Sequence, residues 1–193
     1  MSDESTSDQY TPYAKADLEH AQDFRGDATV LHAGAEDLHD RADDVQAAGL
    51  SDDAGRLRAE GDRLEAKADD YDRRADLLED AATQWHEAAA DDHRSDIART
   101  RAEAAFKAKF ELGQRINSTA LTDDETTELR IQEGRAAGEE SALRARSEQL
   151  SGEAGFDKRL ADAEETKAYE GLDRPEQPKL PEPEPNPDLL PLE

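Results

Sequence analysis

The chain has 193 residues, 38% charged, 35% hydrophobic and only 5% aromatic, and its mean hydropathy of −1.02 leaves too little bulky apolar material for a thick globular core. With 49 acidic against 24 basic residues the formal charge is −25; this field repels phosphate backbones and anionic membrane, and no basic patch interleaved with aromatics is evident to reverse it. The absence of cysteine excludes disulfides, thiolate nucleophiles and zinc–thiolate sites, and no apolar run approaches the ~18 residues of a membrane span.

Residues 1–10 are Ser- and Asp-rich and read as a disordered N-terminal arm without the apolar stretch of a Sec signal. The expected location is therefore the cytoplasm, with signal-less secretion left open. Thr11-Pro12 offers an N-cap followed by proline in the first helical turn, and no further proline interrupts the chain before Pro175. Gly49 stands where a helix end wants a left-handed residue, and Ser51-Asp52-Asp53 opens a second helix with a capping hydroxyl and two acids at the positive end of its dipole.

Both helices carry heptad stripes. In the first the stripe runs Ala21, Phe24, Ala28, Leu31, Ala35, Leu38, Ala42 and Val45; in the second it runs from Ala54 and Leu57 through Gly61, Leu64, Ala68, Tyr71, Ala75, Leu78 and Ala82 to Trp85 and Ala89. Folding one on the other about the turn at 47–53 pairs residues whose numbers sum to 99, so that Leu31 meets Ala68, Ala35 meets Leu64, Phe24 meets Ala75 and Ala14 meets Trp85. Each large side chain faces a small one, which keeps layer volume constant and lets the backbones approach to about 8 Å. The pattern resembles the alanine-rich antiparallel coiled coil of several helical hairpins, a packing motif and not a family. One layer departs from it. Asp17 falls opposite Ala82, and the expectation is that Leu18 leans in to cover while Asp17 sits cheaply near an open end. A parallel dimer would instead stack alanine on alanine, each void costing on the order of 1 kcal/mol.

The stretch 90–96 is polar but contains neither Gly nor Pro, so the second helix is expected to continue to about residue 117, on the order of 100 Å at 1.5 Å per residue. Thr122-Asp-Asp-Glu125 then reads as a capping box opening a third helix, whose stripe at Leu129, Ala136, Leu143 and Leu150 predicts a fold-back against 90–117. Gly152 and Gly155 are expected to end it, leaving a short fourth helix over 156–171. From 172 to 193 the chain is Pro- and Glu-rich, reads as an extended disordered tail, and carries an apolar hook at Leu189, Leu190 and Leu192. The expected organisation is thus an all-α, elongated antiparallel helical hairpin over 11–118, a third long helix folding back with a short fourth helix over 119–171, and arms at 1–10 and 172–193.

Candidate chemistry is sparse. Glu36-x-x-His39 matches half of a di-iron bundle motif, but a single copy lying off the seam predicts no metal site. No phosphate-binding glycine loop, His-Glu-x-x-His pair or nucleophile elbow occurs, and the expectation is no enzyme and no cofactor. Tyr71 and Trp85, at large seam positions, are expected in the core. Tyr169-Glu-Gly-Leu-Asp173 fits the Tyr-x-x-x-Asp/Glu pattern that follows helical hairpins exported by type VII secretion systems, which makes Tyr169 and Asp173 a candidate export motif. The leucines at 189, 190 and 192 are candidate partner-binding residues. The function expected from these features is a non-enzymatic structural or adaptor protein that spaces protein partners and is open to self-association. The alternatives are an acidic mimic of DNA that inhibits a basic protein, and a helical secretion substrate.

Overall fold

The structure, a computed structural model, describes residues 10–118 and 121–175. Within them the chain forms three helices in the order α1 (Thr11–Ala47), α2 (Ser51–Ser118) and α3 (Asp123–Ala168). Helix α1 folds back antiparallel on the first half of α2, and α3 folds back antiparallel on the second half. The two overlap near the middle, where His20 of α1 meets Tyr169 just past α3 and Trp85 of α2 meets Glu165 of α3. The result is a rod with a two-helix proximal arm, a three-helix junction and a two-helix distal arm.

The proximal turn follows from its glycine. Gly49 has φ 84°, its N–H donates to Gln46 O and the Leu50 N–H donates to Val45 O, the paired bonds of a helix end closed by a left-handed residue. At the start of α1 the cap is Tyr10 and not Thr11, with Pro12 in the first turn and no side-chain capping bond. Tertiary contact outweighs local capping here, since the Tyr10 ring stacks on Trp85 at 5.6 Å between centroids.

The seam is the one expected. Ala14, Ala21, Ala28, Ala35 and Ala42 are buried along α1, opposite buried Ala54, Gly61, Ala68, Ala75, Ala82 and Ala89 on α2. In the proximal arm the large partners Leu31, Leu38, Val45, Leu57 and Leu64 are only half-buried. Two helices give a leucine one wall to lie on, so its outer side stays wet. At the junction α3 supplies the missing wall: Leu78 is 0% and Trp85 6% exposed, each burial contributing about 1.5–3 kcal/mol. Ion pairs along the arm, such as Arg25 with Asp76 and Glu79 or Arg58 with Asp43, are largely exposed and contribute little to stability.

Helix α2 is unbroken for 68 residues, through the polar 90–96 stretch, on the order of 100 Å. Helix α3 opens on the expected capping box, the Thr122 hydroxyl accepting from the Glu125 N–H and the Glu125 carboxylate accepting from the Thr122 N–H. The expected break at Gly152 and Gly155 does not occur, and there is no separate fourth helix among the described residues: α3 is continuous for 46 residues. Each internal glycine costs about 1 kcal/mol, but Leu150, Ala154, Ala161 and Ala168 are all buried in one stripe, and that packing against α2 carries the helix through. Its end is set from outside. Arg74 of α2, buried against it, donates to the carbonyls of Ala168 and Glu170, placing a cation on the orphan carbonyls at the negative end of the dipole.

Candidate functional site

The densest polar cluster lies at the three-helix junction, and it is made by the layer that breaks the alanine pattern. Asp17 is 6% exposed while Leu18 is 40% exposed, so the expectation of a carboxylate at a cheap open end beneath Leu18 is wrong on both counts. Helix α3 covers that end, and Leu18 points outward. One Asp17 oxygen, Oδ2, is buried with no hydrogen-bond partner. Burial is the main reason its pKa is raised to about 7; Arg174 and the Trp85 N–H pull it down, and Asp162 pushes it further up.

Around it the chain assembles residues from every element. Trp85 Nε1 donates to Glu165 Oε1 at 2.9 Å, Glu165 is 2% exposed, and its other oxygen pairs with Arg174 in a very close contact. Arg174 stands near enough to touch Glu165 only because Gly171, at φ 78°, turns the chain back along α3. Tyr10 and Tyr13 both stack on the Trp85 ring. Lys158 bridges to Asp92 at 2.7 Å and lies over Tyr10. Burial alone would lower its pKa, but its bonds to Asp92 and Tyr10 outweigh that and raise it.

Further acids line the α2–α3 edge. Asp157 is raised by burial and by Glu87 and Asp91, and Glu164 is raised by burial and by Asp80. In both, burial is the larger cause, and the neighbouring carboxylates add to it.

The candidate export residues are separated. Tyr169 is half-buried at the end of α3, its Oη 2.8 Å from His20 Nδ1 and its ring against Phe24. Burial, then Asp17 and Asp23, push its pKa up to about 12. Asp173 is exposed beyond the turn. Leu189, Leu190 and Leu192 lie outside the described residues. Tyr71 is half-buried against Phe24, and Trp85 is buried as expected.

Glu36 does not join His39. Across the proximal hairpin His39 instead comes together with Asp62 and Glu65, one ligand atom of each lying within 4.8 Å of the others. All three are wholly or partly open to solvent, and the imidazole rests on Gly61, where a Cβ would stand 2.8 Å from Nε2.

The distal half of α2 departs from the acidic average of the chain. Residues 97–117 of α2 hold five bases, Arg99, Arg101, Lys107, Lys109 and Arg115, against two acids, with Phe106 and Phe110 exposed among them at 45% and 57%. A basic and aromatic stretch therefore does exist. Global counting hid it, because acids are spread along the chain while bases concentrate here; a windowed count of the same sequence reveals it. Beside Phe110 a groove of about 500 Å³ is lined by Gly113, Gln114, Asn117 and Glu133. The facing stretch of α3, residues 123–150, holds eight acids against four bases, so the distal arm as a whole is close to neutral, whereas residues 11–70 of the proximal arm hold 16 acids against seven bases. No helix among the described residues is long and apolar enough to cross a membrane.

No protein-family model, curated protein or solved structure matches this chain.

Proposed function

We propose that the protein is a non-enzymatic coiled-coil spacer or adaptor that holds protein partners apart along a rigid rod. One observation carries it: a single uninterrupted α2 of 68 residues is shared by two hairpins, so the two ends of the rod are tied to one element. Thin alanine seams give length and stiffness from little apolar material, which suits a part whose output is distance. The docking element is the C-terminal segment, through Leu189, Leu190 and Leu192.

The unequal charge of the arms favours a second reading, in which the acidic proximal arm binds a basic protein as an inhibitor or DNA mimic. Salt and truncation separate the two. Capture of partners by the full chain and by a chain lacking 186–193 is compared at about 0.05 and 0.5 M salt. The adaptor reading expects capture that tolerates salt and is lost with the tail. Capture that survives truncation but collapses in salt would replace it with the inhibitor.

A further inference from the structure

Three residues of α1 spaced by seven, Arg25, His32 and His39, each face two acids of α2 set three apart. Arg25 pairs with Asp76 and Glu79 at 2.5 and 3.2 Å, and His32 Nε2 lies 3.9 and 3.3 Å from Asp69 and Asp72. His39 meets Asp62 and Glu65, its Nε2 3.6 Å from Asp62 Oδ1. Acids at i and i+3 share one helix face, so all three rungs have the same cross-helix register. A carboxylate pair in this register takes a cation, and at the first rung that cation is the Arg25 guanidinium.

The two histidine rungs are not equivalent. Asp72 also lies 3.4 Å from Arg25 Nη1, so the His32 rung is partly neutralised by its neighbour. Around His39 the nearby bases are engaged elsewhere, Arg58 with Asp43, Arg63 with Glu60 and Lys67 over the Tyr71 ring. The backbone differs as well. Along the α2 stripe, positions 54, 68, 75, 82 and 89 are alanine and position 61 alone is glycine. A Cβ there would stand 2.8 Å from His39 Nε2 and 3.0 Å from Cε1, so the missing methyl is the seat of the imidazole. A mid-helix glycine costs about 1 kcal/mol against alanine. Here that cost lets one ring lie against the hairpin with Nε2 beside Asp62.

We propose that His39 Nε2, Asp62 and Glu65 bind one divalent transition metal of the zinc class, clipping α1 to α2. Bonds of about 2.0–2.2 Å to such an ion set donor atoms about 3.4 Å apart in a tetrahedron. The three donors lie within 4.8 Å of one another, and both carboxylates are exposed, free to close the remainder by rotation about their side-chain bonds. Neutral imidazole with two carboxylates carries two negative charges, which a divalent ion cancels. Imidazole also selects zinc, cobalt, nickel or copper over magnesium and calcium, which prefer oxygen alone. Two helices supply three donors, and water completes the shell. The clip falls where the seam is thin, beside half-buried Leu38 and Leu64, and it requires neither a partner nor the adaptor reading.

The test uses the full-length chain, free of any histidine tag and stripped of metal by a chelator. Zn2+ is titrated by calorimetry in about 5 mM Mg2+, which screens diffuse binding to surface acids. One zinc per monomer is expected. His39→Gln and Asp62→Asn should each weaken binding at least tenfold, and Gly61→Ala should weaken it by displacing the ring, while His32→Gln and Glu36→Gln should change it less than threefold. Zinc should raise the melting temperature of the wild type and leave that of His39→Gln unmoved; matching melts without metal show that the variants fold. No zinc binding by the wild type, or equal affinity in His39→Gln, would overturn the proposal. So would displacement of the zinc by magnesium, one zinc per two chains, or a loss in His32→Gln that His39→Gln does not share. Partner capture does not enter the measurement, so the clip and the adaptor reading stand or fall separately.

Discussion

Replacing Asp17 by asparagine should stabilise the protein, and more so as pH rises. A carboxyl whose folded pKa lies near 7 instead of 3.8 keeps its proton in the native state while the unfolded chain has lost it. Native stability is therefore fully present below pH 3.8 and is lost progressively up to about pH 7. At about 1.4 kcal/mol per unit, the whole shift amounts to about 4 kcal/mol, which screening by water at the junction's edge reduces to about 2. Asparagine keeps the shape, carries no charge and can donate to the neighbouring carboxylates. Urea unfolding of the wild type and Asp17→Asn at pH 3.5, 5.5 and 8 should show curves that nearly coincide at the lowest pH and separate by about 2 kcal/mol at pH 8, the variant being the more stable. The raised carboxyls of Asp157 and Glu164 give both proteins a slope of the same sign, so the difference between the two isolates Asp17. Parallel pH profiles, or a variant less stable at pH 8, would refute the claim that this side chain is a buried, nearly unpaired acid.

The depth of the seam can be read by truncation. Leu78→Ala, beneath all three helices, should cost about 3–5 kcal/mol, whereas Leu64→Ala at the equivalent position of the two-helix arm should cost less than half as much, both measured by urea unfolding. Enlarging a fully buried alanine of the seam, as in Ala68→Leu, should cost about 1–3 kcal/mol because the added methyls must push the two helices apart. Gly61→Ala alone should give none of the ~1 kcal/mol that alanine normally adds to a helix, since its Cβ would meet the His39 ring; with His39→Ala the gain should appear, and a thermal-melt double-mutant cycle measures the coupling. Arg74→Met should fray the end of α3, seen as faster amide exchange at residues 165–170 with proximal-arm protection unchanged.

Local rules were enough for much of the rod. Heptad spacing specified the seam and its register, Gly49 specified the proximal turn, and Thr122 with Glu125 specified the start of α3. These signals act over at most a few residues or repeat at a fixed period, and so they are written directly in the chain. What the sequence could not show is where the ends of α1 and α3 overlap on α2. That overlap buries Asp17, which pairwise reasoning between α1 and α2 placed at a wet end. It also lets Arg74 close α3 from 94 residues away, where glycine counting placed the end at Gly152. Burial and desolvation arise from the third body in a contact, and a pattern read along one or two helices contains no term for it.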